Sequence, residues 1–160
     1  MAKRIRIGDV VEVMTSKGMA YAQVAHLHRE EHSAYGPFLR IAPGFFTKRP
    51  ERFEELVRKE PIATMFCALR AAVKGGICEI VGNVPVPEAA RSFPLFRGSN
   101  NLPGGTTPKT WWFWDGERTW FVGKITPKQR TMPLREIVDG VVLRERIESG
   151  WSPATDPYSQ

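Results

Sequence analysis

The segment that most restricts the fold is Trp111-Trp112-Phe113-Trp114, followed by Asp115-Gly116 and then Thr119-Trp120-Phe121-Val122-Gly123. Two runs rich in aromatic and β-branched side chains around an Asp-Gly turn signal predict a β-hairpin. Successive side chains point to opposite faces of a strand, so Trp111 and Phe113 share one face and Trp112 and Trp114 the other. Cross-strand pairing adds Trp120 and Val122 to the first set, Phe121 and Thr119 to the second. Both faces are then apolar. One must join the core; the other must be covered, for instance by the carboxy-terminal segment, or serve as a contact surface. Large aromatic side chains are core formers first, yet Trp and Arg are also enriched among binding hot spots. Trp111, Trp112, Trp114, Trp120 and, near the turn, Arg118 are therefore the candidate partner-binding residues.

Upstream, Gly8-Asp9 reads as a turn into a strand at Val10-Val11-Glu12-Val13-Met14, and Ser16-Lys17-Gly18 as a hairpin turn. Residues 19–27 form the partner strand, although Ala20, Ala22 and Ala25 would also tolerate helix. Tyr35-Gly36-Pro37 reads as a break before a third strand at Phe38-Leu39-Arg40-Ile41. A helix is expected over 50–58: Pro50 suits a first helical position, Glu51, Glu54 and Glu55 suit the positive end of the dipole, and Phe53, Leu56 and Val57 form an apolar stripe. Residues 65–69 and 77–81 read as interior strands joined through a tight turn at Lys74-Gly75-Gly76. Pro85 and Pro87 end regular pairing, and residues 94–108 are loop-like. The last regular element falls in 134–148, where Gly140 argues against one continuous helix.

No internal repeat or domain boundary is visible. The expectation is one mainly β (α+β) domain over 1–151, a strongly bent antiparallel sheet or SH3-like partial barrel with one or two packed helices, and a flexible tail over 152–160.

Chemistry is sparse. No G-x-S-x-G elbow, phosphate loop or dinucleotide fingerprint occurs, so neither catalytic residues nor a cofactor are assigned and no enzyme is expected. His28-Arg29-Glu30-Glu31-His32 matches the H-x-x-E-H spacing of zinc proteases, but that pattern needs a helix and a third ligand. Here the segment sits between a strand end and a turn, and we assign no metal. Cys67 and Cys78 lie in apolar surroundings and read as buried thiols. Neither a signal peptide nor a membrane-spanning run is seen, so a cytoplasmic location without membrane attachment is expected. The net charge of +6 favours an anionic partner, such as nucleic acid or an acidic protein surface, although the cations are scattered.

Several segments in order resemble the bacterial immunity protein 26 family. They are Gly8-Asp9-Val10-Val11-Glu12-Val13, Tyr21-Ala22-Gln23-Val24, Phe45-Phe46-Thr47-Lys48, Ile80-Val81-Gly82-Asn83-Val84-Pro85 and Arg146-Ile147-Glu148. The resemblance implies a mostly β, non-catalytic protein that protects its producing cell by binding a cognate polymorphic toxin. It transfers no contact residue and no oligomeric state. A small basic β-module that binds nucleic acid is the alternative, supported by charge and by aromatic rings on which bases stack.

Overall fold

A computed structural model of the chain describes residues 4–29, 34–99 and 110–156. Strand β1 (Asp9–Thr15) follows the Gly8 turn and, after the two residues Ser16-Lys17, pairs antiparallel with β2 (Gly18–Arg29). Gly18 has φ +118°, and a Cβ there would stand 2.9 Å from the Phe46 carbonyl oxygen. That carbonyl accepts from the Met19 amide, so the chain after the third strand is stitched onto the start of β2. β3 (Ala34–Ile41) pairs with β2, and β4 (Ala63–Cys67) with β3.

Six strands complete the main sheet in the order β5-β1-β2-β3-β4-β9, where β5 is Cys78–Asn83 and β9 is Ile137–Val138. All pairs are antiparallel except β4 with β9, which is parallel. Register shifts at Val10/Val11, Val24/His26 and His28/Arg29 mark the bulges that bend it. The sheet ends at β5 and β9, so it is open and not a closed barrel. A second, three-stranded sheet runs β6 (Phe96–Ser99), β7 (Trp111–Trp114), β8 (Thr119–Gly123).

Strand alternation explains the layers. Val11, Val13, Ala20, Ala22, Leu39, Ile41, Met65 and Cys67 share one face, buried beneath α2 (Leu69–Lys74) and α3 (Gly140–Ser149). On the other face Val10 and Tyr21 lie under α1 (Glu54–Arg58), while Phe38 and Phe66 meet Phe96 and Trp114 of the small sheet. The protein is therefore mainly β with three helices among the described residues, where one or two were expected.

Other expectations change with the tertiary contacts. The third strand begins at Ala34 and runs through Tyr35-Gly36-Pro37; Gly36 takes φ +74° and Pro37 sits opposite Leu27. The helix expected over 50–58 starts only at Glu54, after Phe53, because Arg49 is held by Glu12 of β1 and Phe53 by the Tyr21 ring. Between the two expected strands stands an unforeseen helix, α2, whose Leu69 and Ala72 bury against the sheet; the turn expected at Lys74-Gly75-Gly76 follows it, with Gly76 at φ +79°. The strand after it, β5, is an edge strand and not an interior one. The loop expected over 94–108 contains β6, and residues 100–109 lie outside the described residues.

The 134–148 segment divides at Gly140 into β9 and α3, with Asp139 accepting from the Val142 amide at 2.8 Å as the helix cap. Gly140 is needed at this crossing, since a Cβ would stand 2.7 Å from the Ala72 Cβ. The start of the expected flexible tail is tied down: the Pro153 carbonyl accepts from Arg97 and Asp156 is buried. Residues 157–160 lie outside the described residues.

Candidate partner-binding surface

The aromatic hairpin forms as its sequence predicts. A four-residue loop joins β7 to β8, and Asp115 closes it by accepting from the Glu117 and Arg118 amides at 2.9 and 2.7 Å. Those bonds hold the Asp115 carboxyl below its ordinary range. Pairing sets Trp112 opposite Phe121, Phe113 opposite Trp120 and Trp114 opposite Thr119. A bulge at Trp111/Trp112 places Gly123, and not Val122, across from Trp111.

The two strands differ sharply in exposure. β7 is the anchored strand: Trp111, Phe113 and Trp114 are buried and Trp112 is half-buried. Trp114 packs on Tyr35 with ring centroids 4.8 Å apart, on His28 at 4.9 Å and on Phe96 at 5.2 Å. The Arg135 guanidinium lies 4.3 Å from its centroid, and Arg135 also donates to the Tyr35 hydroxyl and to Thr119 Oγ1. On the opposite face, Arg97 stacks over Trp111 at 4.4 Å. Fully buried, it donates from Nη2 to the Arg130 and Pro153 carbonyls at 2.9 and 3.0 Å. Burial lowers its pKa to about 10, against the opposing field of Asp156. Arg97 of β6, held by the Arg130 and Pro153 carbonyls, thus covers Trp111 on the second face of β7.

Trp111 and Trp114 are consequently core residues, a correction to their reading as contact residues. β8 is the outer strand, and among the described residues no strand pairs with its far edge. Trp120 is 41% exposed and Phe121 59%, and Arg118 beside them is exposed. The candidate surface is therefore the outer strand itself, with Arg118 just before its start and its two aromatic rings on opposite faces: Trp120 beside Phe113 at 6.2 Å and Phe121 beside Trp112 at 5.1 Å. Phe121 was not among the residues singled out from sequence; its place opposite Trp112 on the outer strand was the available signal. Arg135 was missed as well, since nothing local to it points to Trp114.

The zinc-protease spacing falls away on geometry. His28 lies in β2, a strand, and its ring packs among Tyr35, Phe66, Phe93 and Trp114; residues 30–33 lie outside the described residues. His26 packs on Phe38 and Phe93, and burial holds its pKa below the usual histidine value. Cys67 and Cys78 are buried free thiols, raised by burial to about 12 and about 11, which removes the thiolate character a nucleophile needs. Among the described residues, no three His, Cys, Asp or Glu groups gather as a metal site, and no helix is long and apolar enough to cross a membrane.

No family model matches the sequence, and no curated protein or solved structure matches it either. The resemblance to the immunity protein 26 family therefore rests on the ordered sequence segments alone.

Proposed function

We propose that this chain is an immunity-type protein that neutralises a cognate toxin domain by stoichiometric binding in the cytoplasm of the cell that makes the toxin. The observation that carries the binding half of the proposal is the outer strand β8, which presents Trp120 and Phe121 to solvent from a hairpin whose other strand is locked in the core. Exposed aromatic side chains on a rigid support lose little conformational freedom on association and are frequent hot spots. The edge of β8 that no described strand pairs with also offers main-chain groups to which a partner strand can add. The toxin half of the proposal is supported by the sequence resemblance.

The test is capture of the partner by the tagged full chain from its native lysate after nuclease treatment, followed by co-expression with the captured protein. The proposal expects a protein retained in stoichiometric amount and rescue of growth from its toxicity. Recovery of nucleic acid alone, lost steeply as salt rises, would contradict it and favour the basic-module alternative.

A further inference from the structure

The helix-bearing face of the main sheet is not covered to its end. β2 and β3 extend to Arg29 and from Ala34, and Leu27 and Pro37 pair across that extension. Together with Leu69 at the start of α2, Ile137 of β9 and Ile5 of the amino-terminal segment, they wall a groove of about 830 Å³. Small-ligand sites commonly measure about 300–1,000 Å³ and are mostly apolar with a few placed polar groups. Leu27 is 39% and Ile137 48% exposed, so large apolar side chains face water inside a concave site.

Among the described residues the charge at this groove has one sign: Arg4, Arg70 and Lys74 line it and are exposed, and no described carboxylate does. Arg70 and Lys74 stand four residues apart on α2, hence on one side of that helix. The carboxylates flanking Ile137 in sequence are occupied elsewhere: Asp139 caps α3, and Glu136 pairs with Arg146 at 2.7 Å. Cys67, in the floor, is fully buried and offers no accessible thiol. An apolar cleft whose described charged lining is cationic complements a molecule with an aliphatic body and an anionic head.

We propose that this groove binds a long-chain carboxylate, its aliphatic chain against Leu27, Pro37 and Ile137 and its carboxylate at Arg70 and Lys74. The site is separate from the β8 surface and stands independently of the toxin-binding proposal.

The experiment is displacement of a fluorescent long-chain carboxylate from the full chain by palmitate, with hexadecanol as the uncharged competitor. Saturable one-to-one binding is expected, with hexadecanol competing about tenfold less well or worse. The double variant Arg70→Glu/Lys74→Glu changes only exposed side chains; it should weaken palmitate about tenfold or more and leave hexadecanol unaffected. Leu27→Glu should abolish competition by both, and Trp120→Ala/Phe121→Ala should change neither. Absence of saturable binding to the unaltered chain, or unchanged palmitate binding in the Arg70/Lys74 variant, would overturn the proposal.

Discussion

Glu12 lies on the face of β1 beneath α1, only 6% exposed, and accepts from the Tyr21 hydroxyl at 2.8 Å and from Arg49 Nε and Nη2 at 2.8 and 3.0 Å. The Arg49 hydrogen bonds, helped by Tyr21 and opposed by burial, hold its carboxyl below the ordinary value of 4.5. A carboxylate depressed in the native state contributes stability above its unfolded pKa and loses it as pH falls through the lower native value. Glu12→Gln should therefore flatten the fall in stability below pH 4.5, read from denaturant midpoints measured across the acid range; an unchanged slope would remove Glu12 from the account. Burial likewise raises the Tyr21 hydroxyl above the ordinary tyrosine range, with the Glu12 bond adding to the effect. Arg97 makes a second residue-scale case. Its removal as Arg97→Ala strands two carbonyls and Asp156 beside an emptied Trp111 face, and should cost about 3–5 kcal/mol in chemical denaturation, the usual effect of deleting one partner of a buried charged set. Neither role was legible in the sequence. Glu12 looks like one polar residue in a β-branched run and Arg97 like a loop cation, because their partners come from residues 21, 49, 130 and 153.

At the scale of elements, legibility follows the locality of the cause. The β7–β8 hairpin was readable because its turn chemistry and its alternation lie within thirteen residues of chain. β1 and β2 were readable for the same reason, through Ser16-Lys17-Gly18. The helix α2 was not, since Leu69-Arg70-Ala71-Ala72-Val73-Lys74 is short, and it becomes a helix because Leu69 and Ala72 bury against the sheet. Gly140, read as arguing against one continuous helix, stands where β9 gives way to α3, and it is also a packing requirement at the α2–α3 crossing. Gly140→Ala should improve local helix propensity slightly, yet destabilise the protein by about 1–3 kcal/mol through the clash with Ala72. Thermal melting checks the sign; stabilisation would show that the two helices separate freely.

For the whole molecule, both faces of the main sheet are assigned: one to α2 and α3, the other to α1 and the small aromatic sheet. That division explains why four Trp crowd into one hairpin. Trp111 and Trp114 are spent on joining the small sheet to the rest, which leaves Trp120 and Phe121 on the outer strand as the accessible part of the cluster. The sequence identified the cluster as the candidate site but could not divide it, since burial of β7 depends on Tyr35, Arg135 and Pro153, all remote in the chain. Binding through β8 makes Trp120→Ala/Phe121→Ala selective: both side chains face solvent, so the melting temperature should shift by no more than a few degrees. The most direct measurement is isothermal titration of the unaltered chain and of this double variant against the partner protein captured from the native lysate. The unaltered chain should bind one-to-one, and a variant that melts normally should lose about tenfold or more in affinity. Full-strength binding by the variant would contradict binding through β8 and move the contact surface away from the aromatic hairpin.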